Sequence, residues 1–270
     1  MYLGIDIGGT KTLVASLDDD GVIIERYRFL TSPNYESFVK NLAENIDKLT
    51  TKSFKAAGVG IPGIIDRKLG IGKVSPNLPE WKNVHIKTDV EKITNCLVSI
   101  ENDSKLAALS EAMLLKDKYN RVLFVTISTG IGVGFINNQV IEPAFADLEA
   151  GEIIFQHNGE FQTWESFASG KAIVKQFGKQ IHEINDTKTL EIIANNIAIG
   201  LIDVLAFIQP EIIVIGGSVG SSYPKYEKYL QADLQRYENP MMPIPPIREA
   251  TRPDDAVLYG CYDLVKNLYG

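Results

Sequence analysis

What most narrows the possible folds of this chain is a pattern written into it twice. Residues 3–25 read as strand, glycine turn, strand, polar turn, strand: Leu3-Gly4-Ile5-Asp6-Ile7, then Gly8-Gly9-Thr10-Lys11, Leu13-Val14-Ala15-Ser16-Leu17, Asp18-Asp19-Asp20-Gly21 and Val22-Ile23-Ile24-Glu25. The same order returns over residues 122–142. There the strand Val122 to Ser128 meets the turn Thr129-Gly130-Ile131-Gly132, and Val133 to Ile136 is joined to Gln139 to Glu142 by Asn137-Asn138. Two copies of one hairpin, more than a hundred residues apart, predict a duplicated fold with two similar halves serving one ligand.

The turns also suggest what that ligand is. Gly8-Gly9 is expected to break the first strand with the positive φ that glycine adopts at little cost, leaving backbone N–H groups exposed. With the Thr10 hydroxyl and the Lys11 ammonium, those amides form a nest for a polyanion such as a nucleotide phosphate. Asp6 stands at the mouth of the nest, where a carboxylate repels phosphate unless a cation lies between them. That makes Asp6 the candidate to hold a hydrated Mg²⁺. A Walker A loop is excluded because Thr10 displaces Lys11 by one position, and a Rossmann turn because a strand rather than a helix follows.

Further motifs lie along the chain. Pro33 is expected at the first position of a helix with Tyr35, Phe38, Leu42 and Ile46 on one face. The strand Ala56 to Ile61 ends at Pro62-Gly63, and residues 64–86 read as a long irregular connection carrying Asn77 and an apolar wall at Trp81. The strand Leu97 to Glu101 delivers Asn102-Asp103 to a helix start, where Asp103 is a natural N-cap. A carboxylate there can also take the proton of a substrate hydroxyl. The helix dipole is expected to keep it ionised and weakly basic, which phosphoryl transfer tolerates. Gly216-Gly217, after the strand Ile212 to Ile215, either admits an adenine or ribose to the backbone or serves close helix packing. Asp254-Asp255 is expected to cap a last helix that packs back on the first domain. The predicted domains are residues 1–104, joined by that helix (254–270), and residues 105–253.

A formal net charge of -7 argues against non-specific binding to nucleic acid. Cys96 and Cys261, isolated from each other, suit a reducing cytosol and leave no cysteine cluster for zinc. The chain opens on a strand without a basic and apolar leader, and Asp203 interrupts the one long apolar helix. Secretion and membrane spanning are therefore not expected, and the predicted location is cytoplasmic.

The ordered stretches DIGGTK (6–11), GIPG (60–63), NLPEW (77–81), END (101–103), STGIGVG (128–134), AGE (150–152), ESFASG (165–170) and IIVIGGS (212–218) together resemble the ROK family of sugar kinases, the bacterial-type glucokinases above all. The resemblance implies an α/β, actin-like ATPase fold of ribonuclease H type, with two lobes around a central cleft. It implies ATP and Mg²⁺ as cofactors. It assigns Asp6, Gly8, Gly9, Thr10 and Lys11 to the first phosphate loop, Thr129 and Gly130 to the second, and Gly216 and Gly217 to the adenosine. Asp103 becomes the catalytic base, and Gly63, Asn77, Asn102, Glu152 and Glu165 match sugar-binding positions. Residue chemistry agrees, since a ring of hydroxyls needs carboxylates and amides such as Asn102, Glu152 and Glu165.

Two departures stand out. Phe155 replaces a histidine that contacts sugar and often zinc in the family, and Gln162-Thr163 stand where its cysteine cluster would end, so no zinc is expected despite the nearby His157. The expected activity is ATP-dependent phosphorylation of a hexose at the 6-hydroxyl, with glucose first and mannose, fructose or an N-acetylhexosamine open. Polyphosphate is the alternative donor. A sugar-responsive regulator is the non-enzyme alternative, disfavoured because only Met1 and Tyr2 precede Leu3, where family repressors carry a DNA-binding helix-turn-helix. A chaperone-like or cytoskeletal ATPase of the same superfold would leave the sugar-like polar cluster unexplained. Expected partners are a sugar and a nucleotide, with no nucleic acid and no membrane; a homodimer stays open.

Overall fold

The computed structural model describes residues 1–252 and 255–270. The chain forms two compact units, Met1–Met113 with Asp254–Gly270 and Leu114–Pro253. In the first, β1 (Tyr2–Ile7), β2 (Lys11–Leu17) and β3 (Ile23–Leu30) make an antiparallel meander, followed by α1 (Tyr35–Asp47) and by β4 (Ala56–Ile61), which pairs parallel to β1. A small antiparallel sheet of β5 (Ile64–Asp66), β6 (Ile71–Val74) and β7 (Lys82–Val84) comes next. Helix α2 (Ile86–Thr94) then leads to β8 (Leu97–Asn102), parallel to β4, and α3 (Asp103–Met113) leaves its end.

The second unit repeats this plan. β9 (Arg121–Ile127), β10 (Ile131–Asn137) and β11 (Val140–Ile141) are the meander. A hairpin of β12 (Ile154–His157) and β13 (Glu160–Thr163) precedes α4 (Trp164–Ala168), α5 (Gly170–Phe177) and the long α6 (Thr187–Ile208). Then come β14 (Ile212–Gly216), α7 (Gly217–Gly220), α8 (Tyr223–Gln235) and β15 (Ile247–Glu249), with β14 parallel to both β9 and β15. The sheet orders, β3-β2-β1-β4-β8 and β11-β10-β9-β14-β15, are the same topology used twice.

Helix α9 (Ala256–Tyr269) returns to the first unit and packs on α3, β1 and β4. Contact between α9 and α3 is so close that a Cβ on Gly260 would stand 2.0 Å from the Leu106 carbonyl oxygen. Because α3 lies under α9, the division between units falls after Met113 rather than after residue 104. Asp254 lies outside the described residues. Asp255 sits at the cap position of α9 without capping it; its carboxylate takes two hydrogen bonds from Arg26 Nη1, at 2.7 and 2.8 Å.

Other local expectations change for identifiable reasons. Pro33, expected at the first helical position, lies ahead of the helix, and Asn34 caps α1 by accepting the Ser37 N–H. The Pro33 carbonyl instead accepts the Trp81 indole N–H at 2.9 Å. Trp81 is buried against Phe38 and Tyr35, so it pins its loop to the core rather than walling a site. Residues 64–86, expected as irregular, hold three strands, because a turn at the left-handed Gly70 and turns closed by Leu78 N–H on the Ser75 carbonyl and Trp81 N–H on the Leu78 carbonyl let short segments pair. Of the described helices, α6 alone has the length and hydropathy to cross a membrane, and its apolar residues from Leu190 to Ile208 form the core of the second unit.

Candidate functional site

Asp6, Gly60 and Glu101 pair in register across β1, β4 and β8, and Ile61 pairs with Asn102. The carboxyl ends of three parallel strands thus gather Asp6, Gly63, Asn102 and Asp103, as open α/β sheets commonly do at ligand sites. Buried Glu101 accepts the Arg67 guanidinium through Nε and Nη2, both at 2.7 Å, and also the Asn102 N–H at 2.7 Å. A fork-to-carboxylate pair of this kind holds the strand end still just before the acid that follows.

Asn102, not Asp103, caps α3. Its Oδ1 accepts Ser104 N–H at 3.0 Å and Ser104 Oγ–H at 2.6 Å, while its Nδ2 donates to the Gly63 carbonyl at 3.1 Å. One amide hydrogen remains for a ligand. Gly63 has a φ of 94° and no room for a Cβ, which would meet the Val74 oxygen at 2.1 Å. Its contribution is therefore a carbonyl that aims Asn102.

Asp103 starts the helix, with Oδ1 on Ser104 N–H at 2.8 Å and Oδ2 without a hydrogen bond among the described residues. Burial pushes its carboxyl above the ordinary range, against the pull of Ser104 N–H and Lys105. The expectation of a weak base held ionised by the helix dipole is thus corrected: lost hydration outweighs the helix terminus, and the group gains proton affinity. Asp6 is pushed up to about 7, chiefly by burial and then by the negative charge of Asp103, with Arg28 opposing and Asp255 adding.

Neither Gly8 nor Gly9 has the positive φ expected of them. Glycine is needed there for close approach. A Cβ on Gly9 would stand 2.5 Å from Asn77 Cβ, so the loop bearing Asn77 rests on the turn. Gly8 N–H is spent on the Lys11 carbonyl at 2.9 Å, whereas Gly9 and Thr10 N–H bond to nothing among the described residues. Thr31 braces the turn from beneath, donating to the Gly8 carbonyl at 2.8 Å and meeting Thr12 Oγ1 at 2.9 Å. Thr10 and Lys11 are exposed.

In the second unit, Glu165 Oε2 accepts the Ile131 N–H at 2.8 Å and fills the place beside Gly130, where a Cβ would be 2.2 Å away. Thr129 and Gly130 N–H are unbonded among the described residues. Gly151 abuts the Ile131 carbonyl, which sets the exposed Glu152 beside this turn. A cavity of about 310 Å³, lined by Ser128, Thr129, Gly170, Lys171, Ser218 and Val219, opens next to it. Gly217 (φ 80°) presses on the Ile127 carbonyl and Gly216 on the Phe124 ring, so both glycines serve packing while the next residue reaches the cavity. A larger groove, about 740 Å³ along α6 and α8, holds none of the predicted site residues.

The first unit therefore brings together Asp6, Gly63, Asn102 and Asp103, and separately Gly9 and Asn77; the second brings together Thr129, Gly130 and Glu165. Sequence reading missed Thr31, Arg67 and Ser128. Only Arg67 left a signal, since a glutamate ending an apolar strand needs a cation when buried.

Two units sharing one sheet order are the two-domain actin-like ATPase fold. A ROK family glucokinase from Streptomyces griseus, solved with glucose and AMPPNP, has it too, with a TM-score of 0.80 at 22% identity over 97% of this chain and 98% of that one. The ROK family model matches residues 2–268, and the chain belongs to that family. It is 29% identical over 163 residues to a glucokinase of Thermotoga maritima, covering 58% of this chain and 51% of that protein, so the match spans about half the length of that relative. It is also 27% identical over 262 residues to a xylose repressor of Bacillus subtilis, covering 86% of this chain and 68% of that protein.

Proposed function

We propose that the protein is an ATP-dependent hexose kinase acting on the 6-hydroxyl, with glucose the first substrate to test. The observation that carries this reading is Asp103: one carboxylate oxygen anchored to Ser104, the other unpartnered, and proton affinity raised by burial. A base of that kind receives the hydroxyl proton as the oxygen attacks the terminal phosphate. Asn102 offers its remaining N–H to the sugar, with Asn77, Glu152 and Glu165 as further hydroxyl partners. The free amides of Gly9 and Thr10, and of Thr129 and Gly130, bind phosphate oxygens, as Lys11 does from the exposed side. The cavity beside Ser128 and Ser218 takes the nucleoside. Its 310 Å³ is at the small end of ligand pockets.

Magnesium bound with phosphate supplies charge neutralisation. It needs only one or two protein carboxylates, and Asp6, whose partly protonated carboxyl a cation would deprotonate, fits that need. A kinase of this kind belongs in the cytoplasm, where the unpaired Cys96 and Cys261 stay reduced. The xylose repressor relative favours a second reading, a sugar-binding regulator without turnover. A coupled assay over a panel of hexoses, with MgATP or polyphosphate as donor, separates the readings. Sugar binding without phosphorylation under every donor would reject the kinase.

A further inference from the structure

Two side chains matched to the sugar also lean on a phosphate turn of their own unit. Asn77 does so in the first unit by plain contact, carbon against Gly9. Glu165 does more: it fills the space beside Gly130 and holds the Ile131 N–H at 2.8 Å. Its other oxygen, Oε1, bonds to nothing among the described residues. A residue that only recognised sugar would not need one oxygen committed to the backbone of an anion-binding turn. One that only braced the turn would not leave the other oxygen unspent.

We infer that Glu165 is a positioning residue coupling the two ligands of the second unit: Oε2 holds the turn through Ile131, while Oε1 takes a sugar hydroxyl. The inference rests on the kinase reading. In the sugar-free protein the Glu165 carboxylate stands next to the Thr129 and Gly130 turn and opposes an incoming phosphate. A hydroxyl donated to Oε1 disperses that charge and fixes the carboxylate plane, so the turn keeps the shape that presents its amides. A charge-assisted bond to a backbone N–H is roughly twice as strong as a neutral one, enough to transmit the effect across one side chain. Sugar then tightens nucleotide binding, and by linkage nucleotide tightens sugar binding by the same factor. Asn77 has no comparable grip on its turn, so the coupling belongs to the second unit.

The test is calorimetric binding of Mg-AMPPNP with and without saturating glucose, or whichever hexose the assay selects. Wild type should show sugar tightening the nucleotide by roughly 5- to 150-fold, the usual range for coupled sites. In Glu165→Ala that ratio should fall below about twofold, while Glu165→Gln, whose carboxamide oxygen can still accept from Ile131, should keep part of it. A purely sugar-binding Glu165 would raise the sugar KM and leave the ratio at the wild-type value, and that result overturns the inference. If Glu165→Ala does not fold, Gly130→Ala decides. Its methyl evicts Oε2, so the sugar Kd measured without nucleotide should rise by about threefold or more, and an unchanged Kd is again fatal. A wild type that phosphorylates sugar but shows no coupling defeats this inference alone, whereas a wild type with neither defeats the kinase reading and this inference together.

Discussion

The two glycine turns have equivalent places in equivalent sheets, yet they are held by different forces. The first is backed by a neutral side chain, Asn77, and braced by the hydroxyls of Thr31 and Thr12. The second is backed by a carboxylate that also bonds its backbone. Duplication therefore preserved the order of the strands, while the turns diverged in length, four residues between Ile7 and Thr12 against three between Ile127 and Ile131, and in the charge of their support. The first turn is a packing device and the second an electrostatic one. The acids are distributed to match: Asp6 and Asp103 gather at the strand ends of the first unit, where the nearest backing of the turn is uncharged.

The largest expected asymmetry concerns chemistry. Asp103→Ala should lower kcat by about 10³-fold or more, within the range of general-base removal, with Tm near that of wild type. No single change at the second turn should match it. Full activity in this variant would remove the base from the first unit.

Next is a dependence on pH carried by Asp6 at the strand ends of the first unit. Asp6 holds its proton to about 7 in the folded chain but would ionise near 3.8 unfolded. Between those values the folded state binds more protons, so stability falls as pH rises, by up to about 4 kcal/mol once pH passes 7. Asp6→Asn should remove that loss, raising Tm over wild type at pH 8 and converging with it near pH 4. Parallel melting curves at all pH values would show that Asp6 is well hydrated after all.

A paired substitution sharpens the contrast between the supports. In Gly9→Ala a methyl collides with Asn77 Cβ, an atom fixed to its backbone, and overpacking of this sort costs about 1–3 kcal/mol. In Gly130→Ala the collision is with the tip of Glu165, which can swing aside, so the melting temperature should change less and ligand binding more. Equal destabilisation of the two variants would mean that the turns are held alike. The smallest effect is expected for Thr31→Val, which keeps the shape but leaves the Gly8 carbonyl and Thr12 hydroxyl unpaired, about 1–2 kcal/mol by chemical denaturation.

The strand-turn-strand repeat was readable because it is local. Alternating β-branched and small residues, interrupted by glycine, need no distant partner to declare themselves, and the acids at strand ends follow from the same reading. The reason for the glycines was not readable. Gly8 and Gly9 looked like positions of positive φ, but their crowding comes from Lys11 and from Asn77, the latter remote in the chain. Likewise Asp103 looked like the cap and Asn102 like a sugar ligand, since either side chain suits either task. Only the folded chain shows Asn102 as the cap, its amide aimed by the Gly63 carbonyl, and leaves one Asp103 oxygen unpartnered among the described residues.

Sequence alone thus determined the duplicated sheets, the family and the candidate acids, all of which depend on residue type and short-range order. Tertiary structure decided which glycines serve contact rather than conformation, and that Glu165 spends one oxygen on a turn. It also decided that burial raises the proton affinity of Asp6 and Asp103. Those outcomes depend on desolvation and on neighbours brought together by folding, and neither is a property of any stretch of chain read by itself.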